Sequence, residues 1–311
     1  MNASLSYSPI TALAREVTAP QMFAAPALYV VATPIGNLAD VTLRALAVLA
    51  MADLIAAEDT RVAVRLLQAY GIDGKRLVRC DAHTERECES AVLGVLAQGA
   101  RVALVSDAGT PAVSDPGAAL VQAVRDAGHV VVPVPGASSV LTLLSAAGFT
   151  ATAFRFDGFA PAKRSERDAW LRRLKDARET MVFFEAPHRI AETLRELAAS
   201  LGHAGRRVAL GRELTKRFET IAVLPLAEVP AWLAQDAQRV QGEWVVALEG
   251  AVPEHATAHA GEHDALLGAL LKHLPLKTAV AVAEEISGTP KNLLYQRALD
   301  LKAASGADDC T

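Results

Sequence analysis

Two hydrophobic periods alternate along the first half of the chain. Short apolar runs at Leu28–Thr33, Leu54–Ala57, Arg101–Val105 and His129–Val134 read as buried strands. Between them the apolar residues fall at helical spacing. Leu43, Leu46 and Leu49 mark one helix, with Asp40 as its candidate cap. Asp59 caps a second, closed at Gly71, and Asp115-Pro116 opens a third that Gly128 stops. Pro135-Gly136 turns into a fourth over 137–147, ended by Gly148. Strand and helix in alternation predict a largely parallel sheet. After Gly148 the alternation loosens. Strands are expected at Arg155–Phe159, Met181–Phe184, Val208–Leu210, Phe218–Val223 and Trp244–Glu249, with a charged helix over 165–178 and another over 188–201. These predict a mixed sheet.

The expected layout is therefore α/β: a parallel-sheet domain over 27–137, a mixed-sheet domain over 138–250, and a small helical tail over 263–302, with a break at Leu274-Pro275 and Thr289 as a capping candidate. Ala251–Glu262, rich in Ala, His and Glu, reads as a linker. Residues 1–26 carry frequent Ala, Ser, Thr and Pro, and Arg15 and Glu16 interrupt any signal-peptide core, so they read as a disordered leader.

Composition narrows the function. The chain has 311 residues, is 51% hydrophobic and 21% charged, and carries a net charge of -4. That excludes a generally basic nucleic-acid coat and leaves room for a local basic patch. Cys80, Cys88 and Cys310 are too few and scattered for a disulfide framework, so a reducing cytoplasm is the simplest setting. No apolar stretch reaches the roughly 18 residues of a membrane span. His83, Glu85, Glu87 and Cys88 lie close together, but they read as a solvated helix start, and no metal is expected.

Four loops follow strands in the first half: Pro34–Asn37, Glu58–Arg61, Asp107–Ser114 and Pro135–Ser139. In a parallel sheet these converge on one edge, the usual ligand edge of an open α/β fold. The longest lies in Ser106–Gly117, rich in small residues that let a ligand approach the backbone. No G-x-G-x-x-G and no Walker loop occurs, which disfavours dinucleotides and ATP. Ser138 sits in no G-x-S-x-G elbow, which disfavours a serine hydrolase. In the second half, Phe183–Arg189 and Gly211–Lys216 again lie where a strand ends and a loop or helix begins. Phe184 suits either the core or a stacked purine, and Glu213 and Lys216 could pair as surface charges. Lys163, Arg164 and Arg167 head a basic run that reads either as phosphate contacts or as a solvated helix face. Lys277, Lys291 and Arg297 give the tail a basic character suited to nucleic acid or to a plain helical hairpin.

Val31–Asp40, Ala57–Arg61 and Ser106–Gly117 together resemble the tetrapyrrole-methylase superfamily. With Phe184–Arg189, Arg212–Lys216, Pro275–Lys277 and Lys291-Asn292, the chain is similar within it to the ribosomal RNA small-subunit methyltransferase I group, from about Leu28 to Leu301. It departs from that group's common pattern at Thr84, where Asn is usual, and at Ala137, where Pro is usual; the latter follows the cobalamin-pathway methylases.

The resemblance implies two α/β domains with S-adenosylmethionine in the cleft between them, a homodimer, and 2′-O-methylation of a cytidine in 16S rRNA near the decoding centre. It places Pro34 and Gly36 beside the cleft, Asp107, Gly109, Thr110 and Val113 on the cofactor loop, and Ser138 and Ser139 at the turn meeting the cofactor. Phe184, Arg212 and Glu213 fall on its other side. For proton removal the carboxylate candidates are Glu58, Asp59 and Glu213, while Arg61, Lys163 and Lys216 could hold a phosphate or steady an alkoxide. RNA contacts are expected from Lys163, Arg164, Arg167, Arg189, Lys277, Lys291 and Arg297. The competing readings are a small-molecule methylase acting on a corrin-type macrocycle and a non-catalytic cofactor-sensing, ribosome-binding protein.

Overall fold

The computed structural model describes residues 8–150, 153–202, 205–251, 263–289 and 291–305. Residues 1–7 of the expected leader and 252–262 of the expected linker lie outside the described residues. The first sheet joins β1 (Ala27–Val31), β2 (Leu54–Ala57), β3 (Leu77–Arg79), β4 (Arg101–Val105) and β5 (Val130–Val134) in the order β3-β2-β4-β1-β5. Every pairing is parallel, so all five carboxyl ends lie on one edge. Successive strand residues point to opposite faces. Tyr29, Ile55 and Ala103 accordingly pack with α2 (Leu43–Met51) and α3 (Thr60–Ala69). Leu28, Leu54 and Val102 pack on the other face with α4 (Glu85–Leu96) and α5 (Ala118–Asp126).

Several local expectations are corrected. The leader is not disordered over its described part: Ser8–Thr18 forms α1, whose Ala14 is fully buried in the first core and whose Thr11 hydroxyl donates to Tyr70 O at 2.7 Å. Its composition is loop-like, but the small side chains let it lie close against α2. Asp40 sits in a short 3-10 turn, and Thr42 caps α2 by accepting from the Ala45 N–H at 3.1 Å. Asp115 and Pro116 precede the N-cap of α5, which is Gly117 at φ 121°, a conformation glycine adopts at least cost. Strand β3 has no counterpart among the sequence expectations; it is three residues long and only half-buried.

The second sheet joins β6 (Phe154–Phe159), β7 (Thr180–Glu185), β8 (Arg207–Arg212), β9 (Thr220–Pro225) and β10 (Trp244–Leu248) in the order β6-β7-β10-β8-β9. Only β6 and β7 run parallel, so the sheet is mixed. One face carries Phe183, Leu210 and Val246 under α7 (Arg164–Asp176) and α8 (Pro187–Leu201). The other carries Val182, Ala209 and Val245 under α6 (Ser139–Ala147), through Val140, Leu143 and Ala147. Helix α6 comes after a strand of the first sheet yet packs on the second.

The tail consists of Asp264–Leu271, Leu276–Ser287 and Lys291–Ser305, packed about Leu267, Val280, Ala283, Leu294 and Ala298. That cluster is separate from the four that flank the two sheets.

Candidate active site

The register brings two sheet edges to one place. On the second sheet Trp244 pairs with Glu185 on one side and Arg212 on the other, and Phe159 pairs with Phe184. The ends of β6, β7 and β8 and the start of β10 therefore share an edge. The loop after β1 reaches this edge: Ile35 joins the apolar cluster containing Leu214, and a Cβ on Gly36 would lie 2.5 Å from Lys216 Cγ and 3.0 Å from Thr215 Oγ1. The cleft is thus walled by first-sheet loops on one side and by 159–164, 184–187, 212–219 and 241–243 on the other.

The first wall is stitched through its backbone. Thr33 and Gly109 exchange N–H···O bonds at 2.8 and 3.1 Å, and Thr110 Oγ1 donates to Ala137 O at 3.3 Å. These bonds join the loops carrying Pro34, Gly36, Gly109 and Thr110 to the turn before Ser138, which caps α6 over Ser139. Pro34 is buried, whereas Val113 is 63% exposed at the rim. Among the described residues, the non-glycine positions with positive φ are Ala112 (63°), Glu213 (50°) and Thr215 (65°), all on cleft loops. For a β-branched residue such as Thr215 this is a strained conformation, of the kind found at functional sites.

Charge on this edge is mostly negative. Asp107 Oδ1 accepts from the Asp59 N–H at 3.2 Å, and the Asp107 N–H approaches Glu58 Oε2 at 3.5 Å. Partial burial, followed by the charges of Asp115, Asp107 and Asp81, raises the proton affinity of Glu58 above the usual glutamate range against the Asp107 N–H. Burial likewise raises Asp107. Asp59 is shifted the opposite way: Arg61 binds it through both carboxylate oxygens, at 3.1 and 2.6 Å, and lowers it strongly. Asp81 comes from the loop after β3, which is absent from the sequence expectations together with its strand.

The second wall is clamped. Glu213 Oε1 accepts from Lys216 Nζ at 3.0 Å and from the Glu243 N–H at 2.8 Å, and Lys216 also meets Glu243 at 3.1 Å. Burial alone would raise Glu213, but these hydrogen bonds outweigh it and lower its pKa. Lys216 is raised because the same carboxylates outweigh its own burial. The Phe184 ring meets Phe156 and Phe159 edge-on, with centroids 4.9 and 5.5 Å away.

Four expected contacts turn inward. Arg212 donates to Gln241 O at 2.7 Å and so ties its loop to the segment before β10. Arg167 is buried against Glu196, Thr193 and Pro161 O, and cannot meet a phosphate directly. Arg189 pairs with the buried Glu185. Arg297 grips Asp264 through two bonds of 2.8 and 2.7 Å, fastening the last tail helix to the first. Lys163, Arg164, Lys277 and Lys291 are exposed. No cluster of metal-ligating side chains occurs among the described residues.

The family model for tetrapyrrole (corrin/porphyrin) methylases matches residues 27–230, and that for the RsmI C-terminal HTH domain matches residues 257–302. The chain is 47% identical to a ribosomal RNA small subunit methyltransferase I of Pseudomonas aeruginosa over 89% of this chain and 98% of that protein. It is also 47% identical to the Neisseria meningitidis serogroup A protein of the same name, over 88% of this chain and 94% of that one. Among solved structures, uroporphyrin-III C-methyltransferase from Thermus thermophilus, complexed with S-adenyl homocysteine, superposes with a TM-score of 0.50 at 19% identity, covering 71% of this chain and 96% of that one. At that identity the superposition establishes the fold alone.

Proposed function

We infer the function from family: this chain belongs to the tetrapyrrole (corrin/porphyrin) methylases and, within them, to the ribosomal RNA small subunit methyltransferase I group. It is an S-adenosylmethionine-dependent enzyme that methylates small-subunit ribosomal RNA. The carrying observation is the union in one chain of a methylase match and the C-terminal helix-turn-helix match, since a macrocycle methylase has no use for that tail. Within this activity our finer proposal is that the acceptor is a cytidine 2′-hydroxyl near the decoding centre, and that the enzyme works as a cytoplasmic homodimer. No helix among the described residues is long and apolar enough to cross a membrane.

The cleft fits the cofactor's charge. Carboxylates close enough to raise Glu58 suit a donor whose sulfonium and ammonium cations outnumber its one carboxylate. The residues that would hold it are Pro34, Gly36, Asp107, Gly109, Thr110, Val113, Ser138 and Ser139 on the first wall and Phe184 on the second. When bound, S-adenosylmethionine supplies an electrophilic methyl group whose leaving group is neutral, so aligning the acceptor is a large part of the task.

The ribose hydroxyl is a weak acid, and its proton must leave as the new bond forms. We assign that proton to Glu58, whose surroundings strengthen its hold on a proton. Glu213 suits the task less: its lowered pKa makes it a poor base, and its oxygens already hold Lys216 and the Glu243 N–H. Lys216 and Arg212 then act as ties within the second wall. Arg61, exposed and held by Asp59, can turn to a phosphate of the incoming strand.

The test is transfer of labelled methyl from S-adenosylmethionine to small subunits lacking the modification, followed by mapping of the nucleotide. The expected product is a cytidine methylated on its ribose. Methyl on a base would overturn the finer assignment, and no transfer would overturn the activity.

A further inference from the structure

Arg167 was expected among the RNA contacts, yet its side chain is only 10% exposed. The guanidinium nevertheless reaches three segments. It donates to Glu196 and Thr193 on α8, and through Nη1 to Pro161 O at 3.1 Å, while Nη1 also stands 3.9 Å from Glu185. Glu185 is fully buried, and it accepts from the Thr193 hydroxyl and from the Ala186 N–H at 2.8 Å. It also pairs with Arg189, whose Nη2 donates to Ala160 O at 3.1 Å. The Ala160 N–H in turn donates to Phe184 O at 2.9 Å. Two arginines anchored on one buried carboxylate thus hold the consecutive carbonyls of Ala160 and Pro161.

This network is an expensive way to stabilise a turn. Charges taken out of water are costly, and well-packed apolar residues often serve stability as well or better. The network does provide direction. The turn leaves the cleft edge immediately after Phe159, beside Phe184, and within a few residues reaches Lys163 and Arg164, exposed at the start of α7. A planar fork with five donors can fix such a turn from several sides at once, which a lysine cannot.

We propose that Arg167 is a positioning residue for RNA: it holds the Ala160–Arg164 turn so that Lys163 and Arg164 meet phosphates of the substrate strand at the mouth of the cleft. Arg167 touches no RNA itself and acts through those two cations. This rests on the ribosomal RNA reading given above.

The test uses the full chain, small subunits lacking the modification, and the salt dependence of binding. Each phosphate contact to a single strand contributes about 0.7 to the slope of log K against log salt. Arg167→Lys keeps the charge count, so a purely structural role leaves the slope at the wild-type value. We expect the slope to fall by about 1.4, the contacts of Lys163 and Arg164 at about 0.7 each. The KM for subunits should rise while kcat holds. Lys163→Ala/Arg164→Ala should lower the slope alike, and adding Arg167→Lys to that pair should change it no further.

Glu196→Gln, which releases Arg167 on its more exposed flank, should give a smaller shift of the same sign and serves if Arg167→Lys does not fold. An unchanged slope in the folded variant, or losses that add in the triple variant, would overturn the proposal. A wild-type protein that transfers no methyl to subunits would instead overturn the functional reading beneath it.

Discussion

Gly36→Ala is the substitution whose effect is set most directly by the cleft. Gly36 lies outside the left-handed region, so it is required there for space rather than for conformational freedom. Its ideal Cβ would stand 2.5 Å from Lys216 Cγ, 3.0 Å from Thr215 Oγ1 and 3.1 Å from Leu214 O. A lysine stem could ordinarily swing away, but this one is pinned by Glu213 at 3.0 Å and Glu243 at 3.1 Å. Leu214 O is backbone and yields less readily. Overpacking of this kind costs about 1–3 kcal/mol, which for a domain of this size lowers Tm by about 2–12 °C. Because the contact joins the two walls, the added methyl also moves them apart. A misplacement of about 1 Å can cost roughly a hundredfold in rate, so a few tenths of an ångström should still cost several-fold in kcat.

Gly94→Ala is the matched control. Gly94 lies in α4 with nothing within 4 Å of its ideal Cβ, so the same substitution should stabilise by about 0.5–1 kcal/mol. Thermal melts and single-turnover methylation of subunits measure both effects. Adding Lys216→Ala to Gly36→Ala removes the nearest atom and should recover part of the activity lost to the clash. Equal Tm and kcat for Gly36→Ala and Gly94→Ala would refute the close approach of the two walls.

The charges and the packing lead to further outcomes. Glu58 must be ionised to accept a proton and its pKa is raised, so kcat/KM should climb with pH along a limb above the usual glutamate range; Glu58→Gln should flatten that limb and cost about 10²–10⁴ in rate. Glu213→Gln should leave the limb in place and lower Tm, because its role is to clamp Lys216 and the Glu243 N–H; loss of the limb in that variant would make Glu213 the base. Leu143→Ala, at a fully buried position between α6 and the second sheet, should cost about 2–5 kcal/mol by denaturant titration. Truncation after Gly250 removes a helical unit with its own core and should abolish methylation of subunits while cofactor binding, read by calorimetry, persists.

Short-range pattern alone determined every strand but β3, and most of the helices. Leu28–Thr33, Leu54–Ala57 and Arg101–Val105 are legible because period and burial are set within a few residues. The cleft loops were legible too, since each parallel strand must deliver its loop to the same edge. Tertiary structure decided what depends on partners far away in the chain. Helix α1 exists because α2 and Tyr70 O receive it, whatever its loop-like composition. Strand β3 is too short to show a period, and with it went Asp81, one of the charges that raise Glu58. Side-chain type cannot say which cations face solvent: Arg167, Arg189, Arg212 and Arg297 look no different in sequence from Lys163 and Arg164, yet they turn inward to carboxylates and carbonyls. The proton affinity of a carboxylate and the availability of an arginine both depend on which other groups lie within a few ångströms. That neighbourhood is set by long-range pairing within each unit: β2 beside β4 brings Glu58 to Asp107, and α7 against α8 brings Arg167 to Thr193 and Glu196.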